Sequence, residues 1–232
     1  MTLSMLKPHS IFIAQLNHFM NRSLFLILFF LNCMAHEPIP QKSEAIKAEA
    51  NPEEVLLSIV KNLHNQKLMY SANPADLRDC SGIFLRVLEA LQKQCPQIKG
   101  PNKKIVRSSK TIAAWYAEHK RLKIIKDILK QDNLIKPGAA MFYGHQHIKY
   151  QNLTLEKVLK EIAHIGIVVS VKNDEKGKVI SYELFHGRSG RKPAAITNYH
   201  KRKPSRSNYP LLGNGSQQCV AVAMLFDGLI CK

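Results

Sequence analysis

One cysteine of this sequence lies where a thiol can act as a nucleophile. Cys80 stands between Asp79 and Ser81, directly before an apolar pattern with the period of an α-helix. Asp79 is a typical N-cap residue, so we expect Cys80 in the first turn of a buried helix. The unpaired backbone N–H groups and the positive end of the helix dipole favour the thiolate there, which is the nucleophilic form of cysteine. On this stretch alone, a buried structural cysteine remains the alternative.

Two histidines could activate such a cysteine, because a nucleophilic thiol needs a base and the base needs an orienting group. His164 opens an apolar, β-branched segment, and His186 closes the next one. The two segments predict a β-hairpin around a turn at residues 173–178, which places both histidines near the same end of a sheet. We expect Cys80 to attack and His164 to take its proton and later protonate the leaving amine. His186 would hydrogen-bond the far ring nitrogen of His164, and the backbone N–H of Cys80 would be one oxyanion donor.

Periodic apolar residues predict the helices that must position this cysteine. The first helix starts at Asn51, an N-cap candidate followed by a proline. The predicted helices cover residues 51–69, 80–94, 112–116 and 153–163. Residues 120–130 are interpreted as a further, basic amphipathic segment, its lysines on a solvated helix face and its inward positions at Ile124, Ile125, Ile128 and Leu129.

Extended apolar segments predict the strands that must position the histidines. They cover residues 139–143, 164–171, 179–186 and 219–226. The stretch between the last two, residues 187–210, is interpreted as a long basic loop. Helices come first and an antiparallel sheet second, which is α+β architecture.

The N-terminus has the composition of a secretory signal peptide. Arg22 precedes a short apolar run at residues 23–31, which is too short to span a bilayer as a helix, and small residues follow. We expect a signal peptide at residues 1–35, with Met20 a candidate true start and a lipid anchor at Cys33 the weaker option. Residues 36–51 then form a linker, and residues 52–232 form one catalytic domain. The predicted location is the periplasm or the extracellular space.

Export would place the protein in an oxidising compartment, where disulfides persist. The mature part would hold four cysteines: Cys80, Cys95, Cys219 and Cys231. If Cys80 stays free to react, at most one bridge can form. Cys219–Cys231 is the simplest candidate, although the sequence leaves the pairing open.

The formal charge of +17 over 232 residues favours anionic partners such as nucleic acid, acidic lipid or an envelope polymer. Aromatic residues are not interleaved with the basic loop as stacking platforms, apart from Tyr199 and Tyr209, and we expect no nucleic-acid binding. The loop could bind carboxylates or an anionic polymer, or it could be a solvated loop. Its basic residues are Arg188, Arg191, Lys192, Lys201, Arg202, Lys203 and Arg206.

Four short motifs in this order resemble the NlpC/p60 cysteine peptidases, bacterial cell-wall endopeptidases with a papain-like fold. The motifs are Asp79-Cys80-Ser81-Gly82, Leu134-Ile135-Lys136-Pro137-Gly138, His164-Ile165-Gly166-Ile167-Val168 and Leu184-Phe185-His186. The resemblance covers about residues 52–232 and implies a Cys80–His164–His186 triad. It also implies hydrolysis of peptidoglycan stem peptides, commonly between D-glutamate and diaminopimelate.

The resemblance suggests three further site residues. Tyr70 resembles a tyrosine that precedes the nucleophile and assists the oxyanion. Asp79 and Ser81 match positions that bind the free amine of the substrate in some members. The sequence departs from the family at Ala139, where an acid usually follows the Pro-Gly turn, and in the longer segments at residues 96–130 and 143–163.

Two alternatives remain open. One keeps the fold but makes the protein an amidase or acyltransferase on another amide or lipid substrate. The other is a basic envelope-binding or nucleic-acid-binding protein without catalysis. We expect a monomer and no cofactor. We also expect no metal site, because His145 and His147 form a pair without a third ligand nearby.

Overall fold

The computed structural model of the chain describes residues 50–145, 149–203, 209–226, 228 and 231, and all of them belong to one compact unit. The predicted signal peptide and almost all of the predicted linker therefore lie outside the described residues, as do His147 and Arg206. None of the helices in the described part of the chain is long and apolar enough to cross a membrane.

Four α-helices occur in the described residues, and a side chain caps each of them. They are α1 (Pro52–Asn65), α2 (Cys80–Gln94), α3 (Ser109–Glu118) and α4 (Leu155–Glu161). The N-cap side chains accept a backbone N–H of the first turn, which satisfies a donor that the helix itself cannot pair. These caps belong to Asn51, Asp79, Ser108 and Thr154.

Within the same described residues, six antiparallel strands form one sheet in the order β1-β6-β2-β3-β4-β5. The strands are β1 (Leu122–Ile124), β2 (Ala139–His145), β3 (His164–Asn173), β4 (Val179–His186), β5 (Ala195–His200) and β6 (Gln217–Met224). Helices that pack on an antiparallel sheet confirm the predicted α+β class.

Each face of the sheet contributes to a separate hydrophobic cluster, because side chains alternate along a strand. Ile165 and Ile167 of β3 pack with α1 and α2 in the larger cluster, where Phe84 and Leu88 are buried. Val168 points to the opposite side, into a smaller cluster that holds Tyr143, Tyr182 and Cys219. The helical layer thus presses α2, which carries Cys80, against the central strands.

The prediction of a helix at residues 120–130 is wrong. Lys120 has φ 57°, in the left-handed region, and the chain turns there to form the edge strand β1 beside β6. Ile125 and Ile128 are buried as expected, but Leu129 is 37% exposed. Pairing with a distant strand outweighs the local helical pattern in this segment.

The loop predicted at residues 187–210 contains a strand. β5 pairs with β4 over its whole length, from His186 opposite Ala195 to Ser181 opposite His200. Charged residues flank the β-branched and aromatic residues of this segment, so the sequence pattern as a whole suggested a loop rather than a strand.

The expected Cys219–Cys231 disulfide is also wrong, because Cys231 is bonded to Cys95. Cys219 is a free thiol that β6 buries in the smaller cluster. Cys231 forms an isolated antiparallel bridge with Ala50, with two backbone hydrogen bonds of 3.1 Å, and meets Cys95 at the C-terminal end of α2.

Candidate active site

Cys80 is the first residue of α2, as the capping pattern predicts. The Asp79 carboxylate accepts the backbone N–H of Gly82 at 2.6 Å, and the Asp79 carbonyl accepts that of Ile83 at 2.9 Å. Cys80 is half-buried, and its thiol is free. The nucleophile candidate therefore lies at a helix N-terminus whose geometry Asp79 holds.

The two histidines of the predicted hairpin are hydrogen-bonded to each other. His164 opens β3 and His186 closes β4, and Nε2 of His164 lies 2.8 Å from Nδ1 of His186. Their rings are nearly perpendicular, at 85°. This is the contact expected of a base and its orienting group, and it leaves Nδ1 of His164 as the ring nitrogen available to a thiol.

Burial keeps both imidazoles neutral near neutral pH. It lowers the pKa of His164 to about 4. Burial also lowers the pKa of His186 to about 3, with smaller contributions from the charges of His164 and Arg188. A neutral imidazole is the form that can accept a proton, so the pair is ready to act as a base.

Backbone contacts join Cys80 to both histidine strands. The backbone N–H of Ile165, directly after His164, lies close enough to Cys80 to lower the pKa of its thiol. Gly187, directly after His186, lies against the helix tip, and a Cβ there would come within 2.7 Å of the Asp79 backbone and 2.9 Å of the Cys80 nitrogen. Cys80 packs with the helical cluster, whereas the His186 ring contacts Tyr199, which packs in the cluster on the opposite face of the sheet.

The thiolate expected from the helix N-terminus is not the favoured resting form. Backbone N–H groups of Ile165, Ser81 and Cys80 lower the pKa of the Cys80 thiol, as the capping argument predicts. Burial and the charge of Asp79 outweigh them and raise that pKa above its ordinary value. The Cys80 thiol and both imidazoles are therefore neutral near neutral pH.

Asp79 and Ser81 are engaged by Arg107, a residue that the sequence analysis missed. The Arg107 Nη1 lies 3.0 Å from Asp79 Oδ1 and 2.9 Å from the Ser81 hydroxyl, and Nε donates to the Pro74 carbonyl at 2.9 Å. Ser81 in turn donates to the Asp79 carboxylate. The Arg107 guanidinium therefore binds the Asp79 carboxylate, which the resemblance assigns to a substrate amine. The only sequence signal for this contact was a positive charge in the longer segment at residues 96–130.

Tyr70 is half-buried and held by its backbone. Its N–H donates to the Lys192 carbonyl at 3.3 Å, beside an isolated bridge between Met69 and Pro193. Its oxyanion role stays a prediction.

Three residues beyond His186 extend the hydrogen bonding, and the sequence analysis did not identify them. His186 Nε2 lies 3.2 Å from the Thr197 hydroxyl and 3.3 Å from the Tyr199 hydroxyl. Tyr199 donates to Asn214 Oδ1 at 2.5 Å. Thr197 and Tyr199 alternate along β5, so recognising that strand would have been the signal.

The basic segment after β4 is partly used for internal contacts. Arg188 donates to the Pro193 carbonyl at 2.9 Å, and Arg202 donates to the Gly215 carbonyl at 3.0 Å while it stacks over Tyr209. These two arginines have structural partners, and the exposed basic residues of the described segment are Arg191, Lys192, Lys201 and Lys203.

Among the described residues, no group of three His, Cys, Asp or Glu side chains could hold a metal ion. His145 ends β2 in an exposed position, and His147 lies outside the described residues.

A scan of protein-family models, a search of curated proteins and a search of solved structures each find no match to this chain. The chemistry of the site therefore has to be argued from its own geometry.

Proposed function

We propose that this chain is an exported cysteine peptidase that hydrolyses amide bonds in peptidoglycan stem peptides, with a papain-like fold of the NlpC/p60 type. The single observation that carries the proposal is the 2.8 Å hydrogen bond between His164 and His186, on strands of which one ends against the helix tip that carries the free thiol of Cys80. A cysteine at a helix N-terminus and an oriented imidazole are the two parts that acyl transfer through sulfur requires.

The reaction would proceed in two halves. Nδ1 of His164 takes the Cys80 proton as the sulfur attacks the carbonyl carbon, and the Cys80 backbone N–H stabilises the oxyanion. The imidazolium then protonates the leaving amine, the C–N bond breaks and a thioester remains on Cys80. Water, deprotonated by His164, hydrolyses the thioester and returns the thiol. His186 holds the His164 ring throughout and stabilises its charged form.

Three further features support this reading. A cysteine-bearing helix packs on an antiparallel sheet, the four motifs occur in the order of the family, and the N-terminal sequence favours export. The D-glutamyl–diaminopimelate bond remains the preferred target, and exposed lysines and arginines after β4 would suit carboxylate-rich wall fragments.

A second candidate is favoured by Arg107, which pairs with Asp79 and Ser81. Because that cation competes with a substrate ammonium, the site would suit an amide substrate without a free N-terminal amine. An amidase or acyltransferase on another amide or lipid substrate fits this arrangement equally well.

Purified muropeptides distinguish the peptidase from the second candidate. Each muropeptide is supplied in two forms, one with a free and one with an acetylated N-terminal alanine. We expect wild type to release new fragments by mass spectrometry, Cys80→Ala to release none, and Cys219→Ala, which removes the other free thiol, to match wild type. Labelling of Cys80 by a thiol-reactive probe without muropeptide cleavage would favour the second candidate. Absence of both would favour a non-catalytic envelope-binding protein.

Arg107→Ala separates the substrate classes further. It should lower the KM for the free-amine muropeptide about ten-fold or more, because a charge-assisted hydrogen bond contributes about 1.5–3 kcal/mol and Asp79 becomes available. Lys103→Ala is the matched control, since Lys103 lies in the same segment and pairs with Glu89 at 2.7 Å. Equal KM values in Arg107→Ala and Lys103→Ala would show that Arg107 does not select between the two substrate classes.

A further inference from the structure

The hydrogen bonds of the histidine pair continue through two strands into the loop before β6. His164 contacts His186, His186 contacts Tyr199, and Tyr199 contacts Asn214, at 2.8, 3.3 and 2.5 Å. Each ring nitrogen of a neutral imidazole either donates or accepts, so the far end of this chain determines which nitrogen of His164 carries the proton.

The direction of the chain follows from Asn214. Its amide nitrogen donates to the Gln217 side chain at 3.3 Å, which turns Oδ1 toward Tyr199 as an acceptor. The carbonyl oxygen can only accept, so the phenolic proton of Tyr199 is committed to it. The phenolic oxygen can then only accept, so a lone pair on His186 Nε2 at 3.3 Å would be repelled and a proton there is favoured.

The remaining assignments follow in order. Nε2 of His186 donates to Tyr199, with Thr197 as a second contact at 3.2 Å. Nδ1 of His186 is therefore the unprotonated nitrogen and accepts from Nε2–H of His164. Nδ1 of His164 is left with a lone pair, which is the form that a base needs.

We propose that Tyr199 and Asn214 are positioning residues that fix the tautomers of His186 and His164 so that Nδ1 of His164 can accept the thiol proton. The inference rests on the proposed function of Cys80. Without Asn214, the Tyr199 hydroxyl would be free to donate to His186 Nε2. Every donor and acceptor would then reverse, and Nδ1 of His164 would carry a proton that blocks its use as a base.

Burial supports a fixed direction over the working pH range, because it raises the pKa of Tyr199 and so keeps its proton in place. Tyr143, whose ring lies 6.0 Å from that of His164, is fully buried and also keeps its proton. The titratable and charged groups facing the pair are Tyr143 of β2, Arg188 after β4 and Tyr199 of β5, and the α2 tip with Asp79 and Cys80 adjoins the end of β4.

Nitrogen-15 NMR of the purified protein labelled in histidine tests the tautomers without any substrate. In wild type we expect His164 to show a protonated Nε2 and an unprotonated Nδ1. Asn214→Leu should reverse both, whereas Asn214→Asp, which retains an acceptor oxygen, should keep the wild-type pattern. Tyr199→Phe should give a mixture, and Tyr209→Phe is the matched control that removes a phenol outside the chain.

Kinetics on the muropeptide substrate supply the second readout. Asn214→Leu and Tyr199→Phe should lower kcat about 10- to 100-fold with KM within about two-fold, the cost typical of groups that orient a ligand or base. If Asn214→Leu keeps the wild-type tautomer pattern, the inference is overturned. The proposed function still stands in that case if wild type cleaves the muropeptide. Cleavage that does not depend on Cys80 would instead overturn the proposed function. The NMR pattern would then still decide whether Asn214 fixes the histidine tautomers.

Discussion

At the residue scale, the site combines a thiol whose pKa is raised with imidazoles whose pKa values are lowered. Both shifts have burial as their largest cause, since an apolar surrounding disfavours whichever form is charged. Cys80 and His164 therefore begin as a neutral pair rather than as a thiolate and an imidazolium. In the proposed reaction, proton transfer then belongs to the attack itself, when a bound substrate carbonyl can take the negative charge.

This neutral pair predicts a specific pH dependence. The rate of Cys80 alkylation by iodoacetamide, measured in the Cys219→Ala background, should rise with pH and reach half its maximum above the ordinary cysteine pKa. For kcat/KM, the acid limb should fall only near pH 4, because His164 stays neutral down to its lowered pKa. An alkylation plateau between pH 5 and 6 would instead show a preformed ion pair and contradict the neutral arrangement.

At the element scale, the site depends on the close approach of the β4 end to the tip of α2. Gly187 makes this possible, since any Cβ at that position would overlap the backbone of Asp79 and Cys80. Helix capping by Asp79 and the hairpin register then hold the thiol and the two histidines in place.

Gly187→Ala should therefore damage activity more than folding. Overpacking of this kind costs about 1–3 kcal/mol, and the backbone that must yield carries the nucleophile. We expect at least a ten-fold loss of kcat/KM, measured on muropeptides, with a folded circular dichroism spectrum. Gly190→Asn is the control, because Gly190 has open space around it and asparagine tolerates its positive φ of 73°. Wild-type activity in Gly187→Ala would show that this contact does not position Cys80.

The parts of this arrangement that are local in the chain could be predicted from sequence. The cap at Asp79 and the hairpin that joins His164 to His186 are encoded within a few residues of each other, and both are present. The parts that depend on distant partners could not. β5 is recognisable only beside β4, and without it nothing connected Thr197 and Tyr199 with His186. Arg107 likewise reaches Asp79 only through the folding of a long segment.

At the scale of the whole molecule, one covalent link ties Cys231 to the end of the helix that begins at Cys80. Cys95 follows the last residue of α2, and its disulfide with Cys231 closes a loop with a sequence separation of 136 residues. Loops of this length lose much conformational entropy in the unfolded state when they are closed, so the bond should stabilise the fold.

Removing this link should lower stability rather than alter the chemistry. The double variant Cys95→Ala/Cys231→Ala should lose about 2–5 kcal/mol of unfolding free energy, measured by urea denaturation. A reducing agent should produce a similar loss in wild type and no further loss in the variant. Equal stability of wild type with and without reductant would argue that the bond contributes nothing to the fold.

The central claim is that Cys80, activated by His164, cleaves amide bonds of the cell wall, and digestion of purified peptidoglycan sacculi tests it most directly. The measurement is the number of new amino groups released by wild type, Cys80→Ala, His164→Ala and Cys219→Ala at equal concentration. We expect release by wild type and Cys219→Ala, with the other two reduced to background. Release by Cys80→Ala at the wild-type rate, or none by wild type, would contradict it.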